Sequence, residues 1–418
     1  MTLASVPLVL VLAGLTFYII LAGADFGAAI WQVSAPPTPE GRRVRDFAHN
    51  VMAPVWEANH VWLIFVLTVT WTAYPATFGS IASTLAIPLL LAALGIVARG
   101  AAYAVSAGTS GPRQIRDVDR VAAAASLLAP FALATCVGAI GSGRVPYGNA
   151  AGDLWSSWLT PTSLLLGTLA IAISAYLAGV YLCDDARRRG ADDLIAPYRR
   201  RALGAGLVAG ALAVAGLGVL RQDAHPLYRE LVAGPGLPAV IDSVGAGATA
   251  LALVARSRFA LARYVSALAV AAIVAGWALA QQPRLLPGLT VEQAASPHDT
   301  LVAIVVAVVA GGAILLPSLL LLLRLSLGGR LGYDGGDAVT IDGDRPAPRV
   351  RTTTGIARAA AACLVGGVGF LTIAEAGWAH AIGVVLLLAA LVAGVAAATP
   401  ALLDAEPGHA GDSTRATP

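Results

Sequence analysis

The chain has 418 residues, 57% of them hydrophobic and only 12% charged, with a mean hydropathy of +0.76. A soluble globular domain carries roughly twice that share of charge, so the composition excludes one and predicts an all-α, polytopic membrane protein. The formal net charge of +3 comes from loop arginines that form no continuous stripe, so no nucleic-acid partner is expected.

In chain order, apolar runs near the ~20 residues needed to span a bilayer as a helix predict helices over 6–33, 51–74, 81–104, 121–143, 162–184, 202–220, 237–255, 262–281 and 299–323. The first run lacks a basic leader and is too long for the apolar part of a signal peptide, so it is read as a retained span. Pro317, inside the ninth run, is read as a tolerated kink. These nine spans define a core over 1–325. A Gly/Asp/Arg/Pro linker is expected over 326–355, and two more helices at 356–376 and 379–400 form an extra transmembrane hairpin. The small, polar tail over 401–418 is expected to be disordered.

Arginine placement sets the orientation. All 27 basic residues are Arg, which with the abundant Ala and Gly is a compositional hint of a GC-rich bacterial genome. Most of them lie in the loops after the odd-numbered helices: Arg42, Arg43 and Arg45, then Arg113, Arg116 and Arg120, then Arg187 to Arg189 with Arg199 to Arg201, then Arg256, Arg258 and Arg263. The alternate loops hold only Arg144, Arg221, Arg229 and Arg284. Positive charge stays cytoplasmic, so the N-terminus is expected outside.

Two carboxylates interrupt the apolar spans. Asp25 lies in the first helix and Glu57 in the second, both in the cytoplasmic half. An acid at such depth costs several kcal/mol unless it is protonated, paired or hydrated. On a continuous second helix, His49, Trp56, Glu57, Asn59 and His60 fall on one face roughly 160° wide, a row suited to proton relay. The competing reading makes Glu57 a structural anchor paired with Arg99. For Asp25, structural hydrogen bonding competes equally with transport, because Gly23 and Gly27 flank it with a small-residue face for close helix packing.

Haem ligands are scarce. His49 and His60 lie on one predicted helix, and the other histidines sit at outer ends or in the tail, so no haem is expected on this chain alone. The cysteines, Cys136, Cys183 and Cys363, are far apart and imply neither a disulfide framework nor a metal site. A secondary transporter or ion channel would also place carboxylates in a polar interior, and the residues alone leave that alternative open.

The motifs GADFGAAIW (23–31), APVWEANHVWLIF (53–65) and WTAYP (71–75) resemble subunit II of the cytochrome bd-type quinol oxidases. SGRVPYGN (142–149), WLTPTSLLLG (158–167) and LTVEQAASPHDTL (289–301) are similar to later parts of the same family, and the likeness runs through about residue 325. The resemblance implies a nine-helix subunit of a bacterial plasma-membrane terminal oxidase that couples quinol oxidation to reduction of oxygen to water. It implies a similarly folded subunit I carrying haems b and d and the quinol-oxidising loop. It also implies a cytoplasmic proton path in this chain, and allows a structural quinone. Carried over residue by residue, Glu57 stands where many relatives have Asp, and Asp25, Asn59 and Trp62 match the motif. His60 stands where Gln is common, which puts its role in doubt. The segment beyond 327 exceeds the usual subunit II; one expectation is that it packs where a small accessory subunit sits in some complexes.

Overall fold

The computed structural model describes residues 2–36, 38–52, 56–106, 112–327 and helical residues scattered between 358 and 393, the side chains of 52, 56–58, 106, 112–116, 316 and 319–327 excepted. The chain divides into two units, Met1–Leu327 and Gly328–Pro418. From 328 onward the expected linker lies outside the described residues, as does the expected tail. The expected hairpin overlaps them only in part; its described residues are helical, with Gly366 against Leu386.

The first unit is built of helices, with one small hairpin of strands. They are α1 (Val6–Val33), α2 (Pro39–Met52), α3 (Trp56–Ala73), α4 (Pro75–Thr84), α5 (Ala86–Ser106), α6 (Pro112–Gly141) and α7 (Pro161–Arg188). There follow α8 (Asp192–Asp223), α9 (His225–Val232), α10 (Leu237–Ala255), α11 (Phe259–Gln281), the antiparallel strands β1 (Arg284–Leu286) and β2 (Leu289–Thr290), α12 (Val291–Ala294) and α13 (His298–Leu327). Eight of these helices are long and apolar enough to cross a membrane, and the expected second span coincides with the shorter apolar stretch Asn59–Ala73. The 18 residues of α3 extend about 27 Å, close to the hydrocarbon thickness.

Several expected boundaries change, for local reasons. The loop expected at 34–50 is mostly α2: Val44, Ala48 and Val51 recur at helical spacing and are buried, while Arg42, Arg43, Asp46 and His49 are exposed. α8 begins ten residues before its apolar run. Asp192 and Asp193 occupy its first turn, where carboxylates favour the helix dipole, and Leu194 and Tyr198 are buried. The span expected at 81–104 is two helices, α4 and α5. Pro75 at the start of α4 lacks the N–H that would continue α3. Thr160 caps α7 by accepting the Ser163 N–H, with Pro161 following it.

α1 is the hub. It packs against α3 and α6 on one side and against α7 and α11 on the other; α5 pairs with α6, α7 with α8, and α10 with α11. Small residues make the central seam possible. A Cβ placed on Gly27 would lie 1.9 Å from the Ser174 carbonyl oxygen of α7, so α1 and α7 approach backbone to backbone. The Trp31 Nε1–H donates to the Ala175 carbonyl at 2.9 Å and fixes the end of that seam. In the loop between α6 and α7, Asp153 accepts backbone N–H bonds from Trp155 and Ser156, which hold its carboxyl below the usual carboxylate range.

α2 is fastened to the bundle by one buried hydrogen bond: the Tyr198 hydroxyl donates to the Val44 carbonyl at 2.6 Å. In Tyr198→Phe that carbonyl loses its donor. The variant should cost about 1–2 kcal/mol, read as a lower midpoint for heat-induced loss of the folded protein.

Candidate functional site

The polar groups inside the first unit converge where α1, α3, α5 and α6 meet. Asp25 is 1% exposed and Arg99 is also 1% exposed. The Arg99 Nη2 lies 2.6 Å from Asp25 Oδ1 and 3.1 Å from the Asp25 carbonyl. The same nitrogen donates to the Tyr103 hydroxyl at 3.2 Å, one turn along α5, while Nη1 bonds the Ser126 hydroxyl of α6. Ser126 in turn donates to the Ala122 carbonyl at 2.6 Å. The guanidinium lies 5.3 Å from the centroids of both the Phe26 and Tyr103 rings. An ion pair removed from water this completely needs further hydrogen bonds, and the two terminal nitrogens make them to a hydroxyl, a phenol and a carbonyl.

α3 supplies the neighbouring wall. The Asn59 side chain, 1% exposed, donates to the Leu21 carbonyl of α1 at 3.3 Å. The His60 ring meets Tyr18 and Phe26 edge-on, with centroids at 6.3 and 6.5 Å. Trp62 stacks on Phe17 at 4.7 Å. His49 lies on α2, its ring stacked on Tyr103 at 5.8 Å, and so reaches the Asp25–Arg99 cluster through Tyr103.

Arg99, which the competing reading paired with Glu57, pairs with Asp25. Trp56 and Glu57 open α3, and their side chains lie outside the described residues. The backbone register still places position 57 three residues before His60, on the same side of α3. Tyr18, Tyr103 and Ser126 belong to the cluster and carried no motif. Tyr103 was detectable only as a phenol one turn from Arg99, and Ser126 as the hydroxyl within the small-residue run AAAAS.

Four buried polar atoms of this cluster have no hydrogen-bond partner among the described residues: Tyr18 Oη, Asp25 Oδ2, Asn59 Oδ1 and Arg99 Nε. The described residues contain no group of three or more His, Cys, Asp or Glu that could hold a metal ion.

The sequence pattern described as cytochrome bd terminal oxidase subunit II matches residues 3–326. Two proteins of Bacillus subtilis (strain 168) are similar. A putative cytochrome bd menaquinol oxidase subunit II is 21% identical over 217 residues, which are 51% of this chain and 62% of that protein. A cytochrome bd ubiquinol oxidase subunit 2 is 28% identical over 116 residues, 28% of this chain and 33% of that protein. The matched stretches thus span less than two thirds of either relative. Among solved structures, a chain of the bd oxidase from Geobacillus thermodenitrificans superposes with a TM-score of 0.64 at 25% identity, covering 78% of this chain and 99% of that one. A match over most of the length, on a fold shared with a bd oxidase chain, means that this protein belongs to the cytochrome bd terminal oxidase subunit II family.

Proposed function

We propose that this chain is the haem-free subunit II of a quinol-oxidising terminal oxidase in a bacterial plasma membrane, with its N-terminus outside. It supports a haem-bearing subunit I and leads protons from the cytoplasm toward the site of oxygen reduction. Haems b and d of the complex belong to the partner in this reading; when bound there they supply the redox chemistry. A transporter or channel, which the residues alone left open, loses its support to family membership.

The observation that carries the proton path is the clustering of unpartnered buried polar atoms around Asp25. Each such atom costs about 1–3 kcal/mol if left dry, and buried water bridging several polar groups removes that cost. Four of them together favour a hydrated pocket between α1, α3 and α5. Asp25 Oδ1 is held by Arg99, which fixes a negative charge in the pocket, while Oδ2, buried and without a partner among the described residues, is left to accept from such a water. Arg99 holds Asp25 in place through its terminal nitrogens and so has an orienting role. Glu57 is the exchanging acid, with Asn59 and His60 on the neighbouring turn of α3 orienting water or accepting a proton, and Trp56 and Trp62 supporting that turn.

Glu57→Gln should slow quinol-driven oxygen consumption by about tenfold or more, the scale on which a positioned proton carrier contributes, while the complex stays assembled. Glu57→Asp should be milder, because it keeps the carboxylate and shortens only its reach. Oxygen uptake at the wild-type rate in an assembled Glu57→Gln complex would remove Glu57 from the path.

A further inference from the structure

A second feature lies on the opposite flank of α1. Between α1, α7 and α8 runs a cavity of about 440 Å³, in the range of small-ligand sites. Its walls are one stripe from each long helix: Ala172 and Ala175 of α7, Gly204 and Val208 of α8, and the Trp31 ring of α1. The lining is apolar; Thr168 and Arg201 are its only polar residues, and they turn carbon atoms toward it. Trp31 serves as a wall and not as a donor, because its Nε1–H is committed to Ala175.

Arg201 is the exception that suggests an occupant. Its guanidinium lies 5.9 Å from the Trp31 ring centroid, and among the described residues it has no carboxylate within ion-pairing distance. Of the nearby arginines, Arg199 donates to the Ala255 carbonyl, Arg187 to the Ser257 carbonyl, and Arg188 pairs with Asp184; Arg200, like Arg201, has no ion pair among the described residues, but it is exposed and does not line the groove. The depth of Arg201 is also informative. It immediately precedes the uncharged run 202–220, which Arg221 ends. At 1.5 Å per residue that run measures about 28 Å, the hydrocarbon thickness of a bilayer. Arg201 therefore sits at the level of lipid headgroups, at the arginine-rich end of α7, α8, α10 and α11.

We propose that this groove binds a single anionic glycerophospholipid of the cytoplasmic leaflet, its phosphate on Arg201 and one acyl chain along the α7–α8 seam. A basic residue between transmembrane helices at that surface suits a lipid phosphate. A neutral quinone ring would leave the guanidinium charge unmatched. A free phosphate would make no use of the apolar groove. Bound there, the lipid fills the groove between α1, α7 and α8, so it stabilises the subunit without entering the Asp25–Arg99 cluster. The proposal is independent of the proton path.

The test is mass spectrometry of the detergent-purified oxidase complex, counting lipids retained after extensive washing with phosphatidylcholine. Wild-type complex should keep phosphatidylglycerol, and Arg201→Gln should keep about one fewer per complex. Gly204→Leu should lose the same lipid with all charges intact. An added Cβ at Gly204 meets nothing within 4 Å, so the side chain enters the groove and does not collide with its walls. Equal phosphatidylglycerol in wild type and Arg201→Gln would overturn the proposal. So would an isoprenoid quinone displaced by Gly204→Leu in place of a phospholipid. Should either variant fail to assemble, complete exchange of the wild-type anionic lipid by phosphatidylcholine would refute it alone.

Discussion

Replacing Gly27 by alanine is expected to remove most of the folded protein from the membrane, although alanine is the better helix former by about 1 kcal/mol. The added Cβ would lie 1.9 Å from the Ser174 oxygen, 2.4 Å from its carbonyl carbon and 2.8 Å from the Ala178 Cβ. The obstacle is backbone, which cannot rotate away as a side chain can, so α1 and α7 must separate. Ala24, Ala28, Leu177, Ala178 and Leu182 pack along the same core and are each at most 2% exposed. Parting them leaves a gap along the α1–α7 contact, and the loss should exceed the 4–5 kcal/mol that marks exceptional point mutations. The control is Gly204→Ala, whose Cβ enters open space and should be neutral or mildly stabilising. Yield of monodisperse complex and its thermal midpoint, measured side by side, check both; wild-type behaviour of Gly27→Ala would mean that α1 and α7 are not in this close register.

Much of this architecture was legible because a bilayer imposes a simple rule: a span is a long uncharged run. The rule works for α7, α10 and α11, whose expected and observed limits agree within a few residues. It fails where a helix leaves the hydrocarbon. Seven of the 14 residues of α2 are charged or histidine or asparagine, so no apolar run marks it; its signal is the spacing of Val44, Ala48 and Val51. α8 continues through Arg199, Arg200 and Arg201 because helix hydrogen bonding is indifferent to where the apolar run starts.

The site was legible in its residue types and less so in its pairing. Asp25, Asn59, His60 and Arg99 were identifiable because polar groups at such depth need a reason. Which acid meets Arg99 was not. Asp25 and Glu57 lie at similar depth on consecutive spans, and hydropathy ranks neither above the other. The choice is made by helix rotation: the glycine face of α1 seats against α7, and the same helix presents Asp25 within 2.6 Å of α5. Rotation depends on long-range packing that no local window contains. His49, on α2, is brought to the cluster by Tyr103 of α5, a contact that no local window contains either.

Arg99→Leu should be the most damaging change in the polar cluster. It leaves the Asp25 carboxylate, 1% exposed, without its ion-pair partner. Removing one partner of a buried pair costs about 3–5 kcal/mol, because the survivor keeps its desolvation penalty and loses its compensation. Asp25→Asn should cost less, since the amide oxygen can still accept from Nη2 and the arginine keeps Tyr103, Ser126 and two aromatic faces. Combining the two substitutions separates structure from proton traffic. If the charge on Asp25 is what harms the single arginine variant, Asp25→Asn/Arg99→Leu should recover assembled complex above the Arg99→Leu level, a coupling readable as a double-mutant cycle. Its oxygen consumption should nevertheless stay below that of wild type, because the pocket then lacks the fixed negative charge that draws protons toward Glu57. A double variant that assembles and turns over at the wild-type rate would reduce Asp25 to a structural tie between α1 and α5. Failure of the double variant to recover any assembly would instead assign the damage to the lost packing of the guanidinium against Phe26 and Tyr103.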